Sequence, residues 1–234
     1  LSNNKAAFRL SEDRAFIEGM SQELAETLFY GNEGTEPEAF TGLSSRFNDL
    51  SAENADNIID TGGTGTDNNS IWLVVWGMNT CHGIVPKGST AGLKMTDKGL
   101  VTIEDADGSN GGRMEAYRTH YRMDAGLTVR DWRYIVRICN IDKSLLIPDH
   151  STGDDLPDSM FQAMRLIPNL SAGRAVFYMS RDVATMVARQ VAVDGASSFL
   201  TSESNAGDMR WTERFHGIPM RRVDALSADE ARVT

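Results

Sequence analysis

Two groupings in this sequence carry the residue types that do chemistry. Asp154 and Asp155 are adjacent carboxylates, the pairing from which an acid and a base are drawn when burial drives their pKa values apart. They stand in a polar connection between Pro148 and Pro157 where nothing promises burial, so they read as surface charge. Arg113, Arg118, Arg122, Arg130, Arg133 and Arg137 are interleaved with Tyr117, Tyr121, Trp132 and Tyr134, a composition that nucleic-acid binders also use. Glu115, Asp124 and Asp131 lie among them. Cross-strand and inter-subunit ion pairs account for the set more economically, because the rigid guanidinium fork suits interfaces.

The remaining motifs fail at the positions their chemistry needs. Pro86-Lys87-Gly88-Ser89-Thr90 has the letters of a phosphate-cradling loop in the wrong order, and Gly63-Thr64-Gly65 precedes a strand instead of opening a helix. A calcium loop begun at Asp105 would put its essential glycine at Asn110 and its bidentate glutamate at Ala116. His82, His120, His150 and His216 have no metal-ligand spacing, and there is no Gly-x-Ser-x-Gly elbow. No catalytic site, cofactor or metal is expected.

Composition narrows the classes further. The 234 residues, 41% of them apolar, suffice for one large domain or two closely packed subdomains. With 33 acidic against 23 basic residues the net charge is −10, which disfavours non-specific binding to duplex DNA or an anionic membrane. No apolar run approaches the roughly 18 residues of a membrane span, and Leu1–Lys5 shows no signal peptide. Cys81 and Cys139 read as free buried thiols.

Elements must position these groups. Ser11 is placed to cap a helix with Glu12 and Asp13 in its first turn, and Phe16, Ile17, Met20, Leu24 and Leu28 repeat at the spacing of one buried face. Glu18, Glu23 and Glu26 occupy the opposite face, and the run stops at Tyr30-Gly31 before re-entering at Gly42-Leu43. Residues 51 to 69 are polar and glycine-rich. Ile71–Trp76 reads as a strand covered on both faces, with Cys81–Val85 as its neighbour. Val101–Glu104 and Arg113–Tyr121 flank the turn formers Asp105–Gly112, which predicts a hairpin, and Trp132–Ile138 alternates like a strand with one buried face. Farther on, Ser159–Ile167 predicts a helix and Ala175–Met179 a strand. A helix capped by Ser180 and ended by Asp194-Gly195 follows, then two extended pieces around Gly217-Ile218-Pro219.

Several of these segments together resemble the major capsid proteins of tailed bacteriophages, whose fold is named for phage Hong Kong 97. Within that family the nearest likeness is to the capsid proteins of epsilon-fifteen-like podoviruses. The resemblance rests on Leu28-Phe-Tyr-Gly-Asn-Glu-Gly34 leading to Gly42-Leu43, on Ile71–Gly83 followed by Pro86–Ser89, and on Met114–Tyr121 and Gly126–Tyr134. Val176–Asp182 and Phe215–Met220 complete it. It implies an α+β capsid fold with a long spine helix, a β-rich peripheral domain and a mixed axial domain. Residues 1–50 would form the spine and the start of the peripheral domain, 51–147 a β-rich peripheral or axial segment, and 148–234 mainly the axial domain. The N-terminal arm and the extended E-loop of that fold are expected to be absent from this chain.

The function so implied is self-assembly into an icosahedral shell enclosing double-stranded viral DNA, with no enzymatic activity. Partners would be further copies of the chain in hexamers and pentamers, with portal and decoration proteins, packaged DNA held without sequence-specific binding, and no membrane. The location would be the virion, after assembly in the host cytoplasm. Glu18, Glu23, Glu26, Arg118, Arg122, Arg133 and Arg137 are the candidate subunit-interface residues. Loops at Gly62–Asn69 and Asp105–Gly112 are further candidates for contacts. The rival readings are a nanocompartment shell of the same fold, a β-rich hydrolase using the acid pair, and a glycan-binding module using Trp72, Trp76, Trp132 and Trp211.

Overall fold

The segment Asn68–Trp76 forms strand β2, and burial of eight of its nine residues makes it the organiser of the fold. The computed structural model describes residues 5–89, 91–104, 112–148, 153–193, 200–204 and 211–234. In chain order the helices are α1 (Lys5–Tyr30), α2 (Leu156–Leu166) and α3 (Arg181–Val193). The strands are β1 (Ile58–Asp60), β2, β3 (Cys81–Ile84), β4 (Leu93–Glu104), β5 (Arg113–Met123), β6 (Gly126–Val129), β7 (Ile135–Asp142), β8 (Arg174–Met179), β9 (Leu200–Ser204), β10 (Trp211–Phe215) and β11 (Ile218–Arg222). This is the expected α+β composition.

Two compact units divide the chain, one of residues 1–82 and 129–234 and the other Gly83–Thr128. The first is built on a mixed sheet in the order β1-β7-β2-β8-β11-β10-β9. β7 and β8 both run antiparallel to β2, whereas β1 lies parallel to β7 and β11 parallel to β8. The sheet thus takes strands from before and after residue 147.

Alternation along β2 sends its side chains to two different layers. Ile71, Leu73 and Val75 join Val136, Ile138, Phe177 and Met179 under α2 and α3, whose Leu156, Met160, Ala163, Val183, Val187 and Val191 complete one core. Trp72 points the other way, and Phe29 and Phe47 cover it with ring centroids 6.2 and 6.0 Å distant. Asp155 caps α2 by accepting from the Asp158 N–H, and the Val183 N–H reaches Ser180 Oγ at 3.5 Å at the start of α3. The expected stop at Asp194-Gly195 lies outside the described residues.

Three local expectations are corrected. Trp132–Tyr134 is a 3-10 turn capped by Asp131, and β7 begins after it, buried on both faces. The polar stretch 51–69 contains β1, which pairs with β7 and buries Ile58. Helix α1 begins at Lys5, so Ser11 lies inside it, its hydroxyl donating back to the Phe8 carbonyl.

The second unit is built mainly of a two-stranded ribbon. β4 and β5 pair from Leu93↔Met123 to Glu104↔Arg113, which bears out the expected hairpin and extends it at its base. A bulge interrupts the register between Asp97 and Leu100. Gly99 sits there at φ +72°, in the left-handed region, and its N–H donates to Asp97 Oδ1. Most of the turn at Asp105–Gly112 lies outside the described residues.

Candidate functional site

A helix in a globular chain normally buries its apolar stripe, and α1 does so only at its end. Phe8, Leu10 and Phe16 are 61%, 59% and 63% exposed, and Ile17 is exposed as well. The expectation that Phe16 and Ile17 face the core is therefore corrected. Among the described side chains of α1, Phe29 alone is fully buried, against Trp72 and, at 5.7 Å, Tyr178. Tertiary packing holds the last two turns, and the rest of the helix extends from that anchor.

Close backbone approach makes the anchor. The chain leaves α1 at Gly31 and returns at Gly42, where the Gly42 N–H donates to the Gly31 carbonyl and the Leu43 N–H to the Leu28 carbonyl. These bonds, with one from Ser45 Oγ to the Gly31 carbonyl, satisfy acceptors that a helix end leaves open. A Cβ at Gly31 would stand 2.3 Å from the Phe40 carbonyl oxygen, and one at Gly42 2.7 Å from that of Thr27. Only glycine permits the two segments to lie so close.

Behind the anchor is a buried polar cluster that the sequence did not reveal. Tyr30 donates its hydroxyl proton to Glu230 Oε1 at 2.5 Å and accepts the Ser227 N–H. Glu230 Oε2 takes Ser70 Oγ at 2.5 Å and the Arg137 guanidinium at 2.7 Å. Arg137 also donates to Ser70 Oγ and to the Phe47 carbonyl, with its Cζ 5.0 Å from the Trp72 ring centroid. Burial, then the Glu230 charge, push the Tyr30 phenol well above its ordinary value. The cluster ties the end of α1, β2, β7 and the C-terminal segment together.

The ribbon distributes its apolar residues diagonally. Cross-strand partners share a face, so Leu93, Met95, Leu100, Tyr117, Tyr121 and Met123 lie together. Val101, Ala116, Ile103 and Met114 lie on the opposite face nearer the turn. Met95, Leu100, Met114 and Tyr117 are each more than half exposed.

The candidate interface residues fall in different places. Glu18, Glu23 and Glu26 are exposed on α1, and Arg118 is exposed on β5. Arg122 is exposed and ion-paired to Asp124 at 2.9 Å, while Arg133 holds Asp131 through two bonds of 2.9 and 2.7 Å. Those hydrogen bonds hold both carboxyls below the usual range. Arg137 is buried inside the subunit, its guanidinium donating to Glu230, Ser70 and the Phe47 carbonyl, which corrects its expected place among the interface residues. Its strand is buried on both faces, whereas the alternation in the sequence pointed to only one buried face.

Asp154 is also corrected. It is buried, not surface charge, and burial pushes its carboxyl up to about 6. Its Oδ2 has no hydrogen-bond partner among the described residues, while its backbone carbonyl accepts from the buried Gln190 side chain. Asp155 is occupied as a helix cap, so the two do not form an acid–base pair. Cys81 and Cys139 are free and buried, their thiols pushed up to about 12 by burial. No group of three potential metal ligands occurs among the described residues. Among them, too, no helix is long and apolar enough to cross a membrane.

Residues 1–234, the whole chain, match the family described as Major capsid protein GP7. The chain belongs to that family. It is also similar to a chain in the near-atomic cryo-EM structure of bacteriophage Epsilon15, at 35% identity and a TM-score of 0.65, over 100% of this chain and 70% of that one. No curated protein matches it. As a major capsid protein of the GP7 family it has a structural role in a virion shell, which is built by association of many copies. The exposed apolar helix and ribbon are consistent with that role, since a shell subunit completes its burial against neighbours.

Proposed function

We propose that this capsid protein forms an icosahedral shell of hexamers and pentamers around double-stranded DNA, assembled in the host cytoplasm and joined by portal and decoration proteins. Within it, α1 and the β4–β5 ribbon make the contacts between copies, with Glu18, Glu23, Glu26, Arg118, Arg122 and Arg133 supplying charge at their margins. The observation that carries this reading is the apolar surface on both elements, at Phe8, Leu10 and Phe16 on the helix and Met95, Leu100 and Tyr117 on the ribbon. Individually weak contacts suffice, because a closed shell multiplies them. The net charge of −10 suits a container that does not grip its polyanionic contents.

Negative-stain microscopy and sedimentation of the full-length protein test the proposal. Closed particles with icosahedral outlines are expected, and nucleic acid should be recovered from particles made during infection. A protein that stays monomeric across salt and pH would refute shell building by these surfaces. Particles filled with an enzyme instead of DNA would indicate the nanocompartment reading.

A further inference from the structure

We propose that the buried Tyr30–Glu230–Arg137 cluster sets the direction in which α1 leaves the body of the subunit, and thereby the angle at which neighbouring copies meet. This rests on the reading that α1 contacts neighbours. Tyr30 is the last residue of the helix, and its hydroxyl is held both by Glu230 and by the Ser227 N–H. Glu230 is held in turn by Ser70 on β2 and Arg137 on β7, and Arg137 reaches the Phe47 carbonyl in the returning segment. The C-terminal segment is itself fixed to β2 by paired backbone bonds between Asn68 and Glu230. Helix end, return, two central strands and C-terminal segment therefore converge on one carboxylate.

Apolar contacts such as Phe29 on Trp72 fix distance but tolerate rotation, because dispersion has no preferred direction, and the backbone bonds of Gly42 and Leu43 tie the helix end to the returning segment and not to the strands of the sheet. Charge-assisted hydrogen bonds do fix orientation. The lever is long. Some twenty residues of α1 lie beyond its buried last turns, roughly 30 Å at 1.5 Å per residue, so a tilt of about 10° at Tyr30 moves the far end by about 5 Å. A buried ion pair is seldom retained for net stability, since well-packed apolar residues often serve as well. Directional control is what the pair adds.

Two variants of the full-length protein separate orientation from stability. Tyr30→Phe removes one hydroxyl and leaves the Arg137–Glu230 pair in place. The double variant Arg137→Met with Glu230→Gln removes the charges while keeping volume. Thermal melting of unassembled subunits and the diameter distribution of particles by electron microscopy are measured together. Both variants are expected to fold, the double variant with a melting temperature at or above that of Tyr30→Phe, and both to lose correctly sized closed particles by about tenfold or more, because a small angular error recurs at every contact. Particles of wild-type diameter and yield from either variant would overturn the proposal. So would a loss of assembly that follows melting temperature alone. Absence of particles from the wild-type protein would instead overturn the contact reading on which the proposal rests.

Discussion

Arg137 and Glu230 meet at 2.7 Å with side chains 2% and 6% exposed, so neither can be rehydrated when its partner is lost. Glu230→Ala should cost the unassembled subunit about 3–5 kcal/mol by urea denaturation. A loss below about 1 kcal/mol, the scale of an ordinary hydrogen bond, would mean that water reaches the guanidinium. Asp154 makes a second prediction with the opposite sign. Its carboxyl is raised from 3.8 to about 6, chiefly by burial, with the Asp142 and Asp60 charges adding to the effect and a backbone bond from Asp142 opposing it. Between about pH 4 and 6 the folded state thus holds a proton the unfolded chain has released, and stability falls as pH rises through that window. Asp154→Asn should abolish that slope and be the more stable protein at neutral pH, by up to about 3 kcal/mol. Parallel pH profiles for the two proteins would contradict this. These residues were illegible in the sequence for one physical reason. Local pattern ranks polar residues by their neighbours in the chain, and the partner of Arg137 lies 93 positions away.

At the scale of elements, the unbroken apolar run of β2, the core of β8 and the apolar faces of α2 and α3 were legible, and the hairpin was legible from its turn formers although its strands are largely exposed. The end of α1 was also legible, because Tyr30-Gly31 and Gly42-Leu43 carry their own backbone requirement. Gly31→Ala tests that requirement. Its Cβ would meet backbone oxygens of Phe40 and Thr27 at 2.3 and 2.5 Å, so about 1–3 kcal/mol or more of overpacking strain should lower the melting temperature. An unchanged melt would show that the return is looser than described. What the pattern could not disclose was coverage. The period of α1 is genuine, yet Phe16 faces outward, since periodicity marks an apolar face without saying whether its own chain covers it. The ribbon poses the same question and a cleaner test. Leu100→Lys with Tyr117→Asp alters side chains exposed within the subunit, so the unassembled protein should melt within the narrow range of ordinary surface substitutions. Particle yield should nevertheless collapse. Wild-type yield would remove this face of the ribbon from the assembly surface.

At the scale of the molecule, the resemblance seen in scattered motifs extended over the whole chain, because the motifs belong to elements of both units. The sheet of the first unit joins the ends of the described chain. Tyr30 and Glu230 are 200 positions apart. At about 5–20 residues per second of synthesis, α1 must wait roughly 10–40 s for the residue that clamps it. A ribosome that stalls anywhere in between releases a chain whose helix still displays Phe8 and Phe16 but has no fixed heading. When a copy ending before Ser227 is expressed beside the intact protein, purified particles should contain almost none of it, and equal incorporation would refute this. With its clamp 200 positions downstream, α1 is made early and oriented late, only after the segment carrying Glu230 has been synthesised.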